Sequence, residues 1–430
     1  MSNEAVLHII ADDLTGAADT GIQFAKRNLN TILIPFSFVE PSCDPGKVQV
    51  VAINTDSRRM SSERAYDKVK KAALPLKNQR IIYKKIDSTL RGNIGIEIEA
   101  VMETTGIGLA IVAPAFPVYD RTTLNGVHFV NGQPLSQTEA ASDPVTPVNK
   151  SHIPSLIREQ TSLEVGQIGL DDIRRGQISL RRIILQRAED GERIIVFDAE
   201  TDDDLSIIAE ASMSISPTPL MVGSAGLADQ LSRILERREN TRHRVKAYNK
   251  RDEGAIIIVS GSLSTITWKQ LDVVRETGKG DIISVDIGEI IEAADGDSSQ
   301  EDEIISKIMS SMNTIGVAGV QSSGTYHIAP EYVHEDSLIQ NIVDCLGELA
   351  AKVIERYPQP IRGLILTGGD TALAVFKHLG ISCVQLVDEI LPGIPYGQIK
   401  DGKFAGLTVV TKAGAFGNES ALVECINFLM

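Results

Sequence analysis

The sequence predicts an α/β protein of two domains, each with a largely parallel sheet flanked by helices. Three observations predict it. Short β-branched runs that end in Gly, Asp or Ser recur along the chain and are followed by helix-period stretches, the pattern of parallel α/β units. Most of these runs are almost continuously apolar, as strands covered on both faces must be. The chain has 430 residues, about three times the ~150 of an ordinary domain and enough for more than one core.

In chain order, strands are expected at residues 6–10, 48–53, 80–84, 109–112, 194–197 and 220–222, then at 255–259, 363–366 and 407–410. Helices follow most of them, such as 17–28 after the first and 61–73 after the second. Ser61 can cap the latter, and Glu63 lies in its first turn, where the helix dipole favours an acid. Asn131-Gly132, set between apolar residues of the stretch 128–135, predicts a type I′ hairpin inserted into the first domain. Between Arg233 and Arg251, eight Lys/Arg stand against two acids, Glu236 and Glu239, a charge reversal read as a solvated connection. Domains are therefore expected at 1–240 and 255–430 with a linker at 241–254, and a polar break at 295–302 is expected to be a surface loop.

Composition narrows the function. With 42 Lys+Arg against 57 Asp+Glu the formal charge is −15, which disfavours nucleic acid or an anionic membrane surface as partner and favours small-molecule chemistry. The four cysteines, Cys43, Cys345, Cys383 and Cys425, show no Cys-x-x-Cys spacing and read as buried thiols of a reducing compartment. None of the seven histidines has a metal-type spacing, so no metal site is expected. No apolar run approaches the ~18 residues of a membrane span. The N-terminus lacks a basic region before Asp12 and Asp13, so no secretory signal is expected and the cytoplasm is the expected location.

Ligands of open α/β sheets bind beyond the carboxyl ends of the strands, and in this chain those positions are strongly polar. Asp12-Asp13-Leu14-Thr15-Gly16 follows the first run, Asn54-Thr55-Asp56-Ser57-Arg58-Arg59 the second, and Lys85-Ile86-Asp87-Ser88-Thr89-Leu90-Arg91 the third. Arg58, Arg59 or Arg91 can grip a carboxylate bidentately, while Asp12, Asp13 or Asp87 can accept from hydroxyls, so the set suits a small, acidic, polyhydroxylated ligand. Helix capping by Asp12 or Asp13 and ion pairing of the arginines is the alternative reading.

The second half carries Gly-rich turns: Ser260-Gly261-Ser262, Thr367-Gly368-Gly369-Asp370 and Lys412-Ala413-Gly414 each follow a strand. Glycine lets backbone approach a phosphate, and a helix N-terminus turns free N–H groups toward it. Asp370 can reach a phosphate-bound Mg²⁺ or cap its helix. A Walker-type Gly-x-x-x-x-Gly-Lys-[Ser/Thr] and a strand-borne Gly-x-Gly-x-x-Gly are both missing, against a P-loop protein and against a dinucleotide dehydrogenase.

With these segments in view, the chain resembles the four-carbon acid sugar kinase family over nearly its whole length. The carriers are the segment Ile10-Ala-Asp-Asp-Leu-Thr-Gly-Ala-Ala-Asp19, the segment Lys84-Lys-Ile-Asp-Ser-Thr-Leu-Arg-Gly-Asn93, Ala113-Pro-Ala-Phe-Pro117, Val222-Gly-Ser-Ala-Gly-Leu227, Val259-Ser-Gly-Ser262 and Leu366-Thr-Gly-Gly-Asp-Thr371. The resemblance implies a sugar-acid-binding N-terminal domain, a nucleotide-binding C-terminal domain, an active site in the interdomain cleft, and phosphorylation of D-threonate, D-erythronate or a 3-oxo-tetronate by ATP at the terminal hydroxyl. It implies that Asp12, Arg59 and the run Asp87, Ser88, Thr89, Leu90 touch the sugar acid; from the strand-end reading, Arg91 is expected to help Arg59 hold its carboxylate. It also implies that Ser260, Ser262, Thr367, Gly368, Gly369, Asp370 and Gly414 touch ATP. On this reading Asp12 or Asp87 is the catalytic carboxylate, Mg²⁺ bridges ATP oxygens, the domains close on the ligands, and a homo-oligomer is possible. D-threonate is the favoured acid; a sugar-acid dehydrogenase and a non-catalytic sugar-acid sensor are the rivals.

Overall fold

The computed structural model describes residues 5–37, 48–143, 145–239, 253–262, 264–285, 298–322 and 336–430. The described residues up to 239 form one compact unit and those from 253 a second. Residues 241–252 of the expected linker lie outside the described ones.

The first unit contains strands β1 (Leu7–Ala11), β2 (Thr31–Ile34), β3 (Val50–Asn54), β4 (Ile82–Lys85), β5 (Ala110–Ala113), β6 (Arg121–Leu124), β7 (Val127–Val130), β8 (Gln133–Pro134), β9 (Val165–Ile168), β10 (Ile194–Phe197) and β11 (Leu220–Gly223). Its helices are α1 (Leu14–Ala25), α2 (Ser62–Ala73), α3 (Ile94–Thr105), α4 (Ile153–Arg158), α5 (Leu170–Ile173), α6 (Gln177–Glu189), α7 (Asp202–Met213) and α8 (Ala225–Glu239). The main sheet runs β2-β3-β1-β4-β11-β5-β10-β9, and every pairing in it is parallel. The expected continuous apolar strands are there because both faces are covered: β1, β4, β5, β10 and β11 are buried at every position. Ile10, Ile82, Val112 and Val222 join one core with Val69 of α2, Ile98 of α3 and Ile157 of α4.

Helix α1 begins at Leu14, earlier than expected, because the Asp13 carboxylate caps it by accepting from Gly16 N at 3.0 Å. Ser61 holds the N-cap position of α2 but its side chain makes no capping hydrogen bond. The Asn131-Gly132 turn joins β7 to β8 with φ of 51° and 74°, the two positive values a type I′ turn requires. A second Asn-Gly turn, Asn125-Gly126 at 52° and 74°, joins β6 to β7 and makes the insertion three-stranded.

The second unit holds β12 (Ala255–Ser260), β13 (Asp281–Val285), β14 (Val317–Ser322), β15 (Ile361–Thr367), β16 (Val384–Leu391), β17 (Ile394–Ile399) and β18 (Thr408–Lys412), with α9 (Thr265–Glu276), α10 (Ser298–Ile315), α11 (Asp336–Arg356), α12 (Gly369–Leu379) and α13 (Ala421–Leu429). Its sheet runs β13-β14-β12-β15-β18-β17-β16. The pairings from β13 to β18 are parallel, and β17 is antiparallel to both neighbours because Pro392-Gly393 folds β16 back on it. Of the loop expected at 295–302, the part from Ser298 onward is instead the first turn of α10; the rest lies outside the described residues. Cys425 is a buried free thiol as expected, Cys345 is a free thiol but only half-buried, buried Cys383 is disulfide-bonded against the expectation of a thiol there, and Cys43 lies outside the described residues. No helix of the described residues is long and apolar enough to cross a membrane.

Candidate active site

Because β1, β3 and β4 are parallel neighbours, their carboxyl ends deliver Asp12, Ser57 and Asp87 to one edge of the sheet. The turn after β3 is pinned to β1 by Ser57 N and Arg58 N donating to the Asp12 carbonyl at 2.9 and 3.2 Å. That pinning aims Arg58 at two carboxylates. It donates to both oxygens of Asp12 at 2.8 and 2.9 Å and to both oxygens of Asp13 at 3.0 and 2.6 Å, and its Nη2 lies 3.8 Å from Asp87. Asp87 in turn receives Arg91 at 2.6 and 3.3 Å and the Thr89 hydroxyl at 2.6 Å, while Arg91 also reaches Asp143 at 3.1 Å. Leu90 adopts φ of 58°, which folds the 87–91 loop back so that Arg91 meets Asp87.

Burial alone would push the Asp13 and Asp87 carboxyls up. For Asp87, Arg91 and Arg58 outweigh it and hold the group well below the usual carboxylate range; for Asp13, Arg58 and Lys85 do the same more weakly. Burial likewise works against the Arg58 charge, but Asp12, Asp13 and Asp87 more than restore it. Asp87 is thus a fixed negative anchor and a poor proton acceptor at neutral pH.

Beneath this layer lies a buried ion pair, Lys84 Nζ to Glu97 Oε2 at 2.7 Å, with the two side chains 0% and 2% exposed. Glu97 also accepts from Ser57 Oγ at 2.6 Å, so α3 supports the arginine-bearing turn from below. The inserted hairpin supplies another brace. His128 is fully buried and pushed down by burial to about 4, hence neutral. The Ser88 carbonyl, 3.0 Å from His128 Nε2, can only accept, so Nε2 carries the proton and Nδ1 accepts from Thr123 Oγ1 at 3.1 Å. Arg121 donates to Ser88 Oγ.

The structure brings Asp12, Asp87, Ser88, Thr89, Leu90 and Arg91 together around Arg58. Arg59 is exposed and lies apart from the Asp12–Asp13 clasp, on the rim of an adjoining cavity of about 390 Å³ lined also by Arg58, Leu90, Asn93 and Thr146. Glu97, Arg121 and His128 were not singled out as site residues from the sequence. Glu97 sits inside a helical apolar pattern, and the two hairpin residues reach the site by a fold-back that spacing does not encode.

In the second unit, β12, β15 and β18 end side by side, with Ser260 paired to Thr367 and Thr367 to Lys412. Gly368, at φ of 100°, opens α12, with Gly369 and Asp370 in its first turn. Gly261 N donates to Thr371 Oγ1 at 3.2 Å, which ties the first turn to the second. A Cβ on Gly414 would come 2.2 Å from Ser262 Oγ, so a side chain there would force the serine hydroxyl out of its place. Lys412 holds the third turn in place: its fully buried Nζ donates to Thr267 Oγ1 at 3.2 Å and to the carbonyls of Ala413, Gly414 and Phe416 at 3.0, 3.1 and 3.3 Å. Burial pushes Lys412 down to about 8. The sequence cue for it was a lysine closing an apolar strand, as Lys84 and Lys85 close β4. Thus Ser260, Ser262, Thr367, Gly368, Gly369, Asp370 and Gly414 gather at one sheet edge, where close-lying backbone and a helix N-terminus suit an anion. Among the described residues no group of three or more His, Cys, Asp or Glu is arranged to hold a metal ion.

Comparison with known proteins meets this geometry at both ends of the chain. Residues 7–231 match the model of a sugar-binding N-terminal domain, and residues 257–422 that of a nucleotide-binding C-terminal domain. The chain is 34% identical to the D-threonate kinase of Salmonella typhimurium, covering 98% of this chain and 97% of that one. It is 30% identical to the D-erythronate kinase of Heliobacterium modesticaldum, covering 98% and 96%, and 28% identical to the 3-oxo-tetronate kinase of Pseudomonas fluorescens, covering 99% and 97%. A crystal structure of a Salmonella typhimurium protein shares the fold with a TM-score of 0.80 at 24% identity, covering 97% of this chain and 98% of that one. Full-length similarity to three kinds of tetronate kinase, with a sugar-binding and a nucleotide-binding half in that order, settles the relationship: the chain belongs to the four-carbon acid sugar kinase family.

Proposed function

We propose that the protein transfers the γ-phosphoryl group of ATP to the terminal hydroxyl of D-threonate, giving 4-phospho-D-threonate and ADP. The observation that carries the choice of acid is the 34% identity to a D-threonate kinase across 98% of the chain. The Asp–Arg edge of the first unit suits a hydroxylated acid, and the Gly-rich edge of the second suits phosphates. We assign residues up to 240 to the acid and those from 255 to the nucleotide.

The acid's carboxylate is held by Arg59 at the cavity rim, with Arg91 near it. Asp87, kept charged by Arg91 and Arg58, orients the attacking hydroxyl, and Asp12 takes its proton as the oxygen bonds to the γ-phosphorus and the bond to the β-phosphate oxygen breaks. The Gly368 N–H is spent on the Lys412 carbonyl at 2.9 Å, so the N–H groups from Gly369 onward in the first turn of α12 face the phosphates, with Gly414 against Ser262 beside them and buried Ser260 and Thr367 beneath. A bound Mg²⁺ would neutralise negative charge on the nucleotide. Such an ion needs only one or two protein carboxylates, and Asp370 in the first turn of α12 would supply one.

The test is ADP release with ATP, Mg²⁺ and each of D-threonate, D-erythronate, L-threonate and the 3-oxo-tetronates. The highest kcat/KM is expected for D-threonate. Highest turnover with D-erythronate or a 3-oxo-tetronate would reassign the acid, and reduction of NAD(P)⁺ without ADP release would replace the kinase by a dehydrogenase.

A further inference from the structure

Lys85 closes β4 with its side chain buried, only 4% exposed, yet its Nζ makes no hydrogen bond and no ion pair with any described residue. Its neighbours are committed. Lys84 is spent on Glu97, Arg58 on Asp12 and Asp13, and Arg91 on Asp87 and Asp143. An ammonium on so buried a side chain, within reach of the Asp13 and Asp87 charges but hydrogen-bonded to neither, keeps its three donors for a ligand.

The position of Nζ is defined by Gly16. A Cβ there would lie 2.8 Å from Lys85 Nζ and 2.4 Å from Asp13 Oδ1, so the missing side chain leaves a cradle in which the ammonium sits against the first turn of the twelve-residue helix α1. The positive end of that helix dipole and the lysine charge add in the same place. Asp13 and Asp87 both feel the Lys85 charge, so it faces the same cluster that we assign to the acid.

We propose that Lys85 and the N-terminal turn of α1 form an oxyanion subsite within the kinase site, which takes either the carboxylate of the sugar acid or the oxygens of the transferring phosphoryl group. The proposal rests on the kinase reading above. Electrostatic donors of this kind are worth about 100-fold or more when removed.

The experiment compares wild type, Lys85→Met and Lys85→Gln in steady-state ADP release, alongside the rise in melting temperature produced by D-threonate alone. A fall in kcat/KM of about 100-fold is expected. If it comes through KM for the acid with loss of the acid-induced melting shift, the subsite binds the carboxylate; if through kcat with both KM values and the melting shift kept, it serves the phosphoryl group. Should Lys85→Met fail to fold, Lys85→Gln, one atom shorter than lysine but with a neutral donor, carries the comparison. A folded variant within about threefold of wild type in every parameter overturns the subsite. A wild-type protein inactive on every acid overturns the kinase reading instead, so the two failures are told apart.

Discussion

Replacing Glu97 by Gln separates the support of the site from its chemistry. Glu97 and Lys84 are 2.7 Å apart with side chains 2% and 0% exposed, so removing the negative charge leaves an ammonium buried without its partner. Breaking such a pair costs about 3–5 kcal/mol. The amide oxygen can still accept one bond from Ser57 or Lys84, so the low end, about 3 kcal/mol, is expected. In Lys84→Met/Glu97→Leu neither charge remains, and the double variant should lose less than the sum of Lys84→Met and Glu97→Leu measured singly by about 2 kcal/mol or more. Hydrogen exchange of peptides from β4 and α3 is the assay, since it reads the first unit alone. Turnover should stay low even in the double variant, because Ser57 loses the acceptor 2.6 Å away that holds the arginine-bearing turn. Additive single costs within about 0.5 kcal/mol, or full activity in the double variant, would refute the reasoning.

Asp13 and Asp87 are held below their usual range when folded, so the stability they contribute is present above the unfolded value of about 3.9 and is lost as pH falls through the lower folded values. Thermal melts below about pH 4 should therefore show a steep loss that is shallower in Asp87→Asn; parallel curves would contradict this. Lys412 is pushed the other way, to about 8, so between there and the unfolded value of about 10.4 the unfolded chain binds more protons and the second unit gains stability as pH rises. That rise should vanish in Lys412→Met. Gly414→Ala puts a methyl 2.2 Å from Ser262 Oγ and should raise KM for ATP about tenfold while leaving KM for the acid unchanged, as read by ADP release.

Much of this was legible in the sequence because parallel strands buried on both faces leave an almost unbroken apolar run, and β1, β4, β5, β10 and β11 have it. Others did not show. β9 reads Val-Gly-Gln-Ile, with a polar residue and a glycine inside, and β16 carries Asp388 and Glu389 on a strand only partly buried, so neither gave a strand signal. Asp12, Asp87 and Arg91 were visible because strand ends select polar residues. Their partnering was not: Arg58, adjacent to Arg59 in sequence, takes the carboxylates because Ser57 and Arg58 are tied to the Asp12 carbonyl just after β1, which turns one guanidinium inward and leaves the other exposed. His128 and Arg121 depend on the β6–β8 fold-back, a long-range packing event with no local periodicity. The Cys383 disulfide escaped for the same reason, since pairing depends on distance in space.

The central claim is tested most directly by identifying the product. The protein, D-threonate, ATP and Mg²⁺ are incubated, and the acid is recovered for mass and ¹³C–³¹P coupling analysis. One added phosphoryl group is expected, coupled to the terminal carbon and formed in equal amount to ADP. An unphosphorylated acid, or phosphate on an internal hydroxyl, would contradict it.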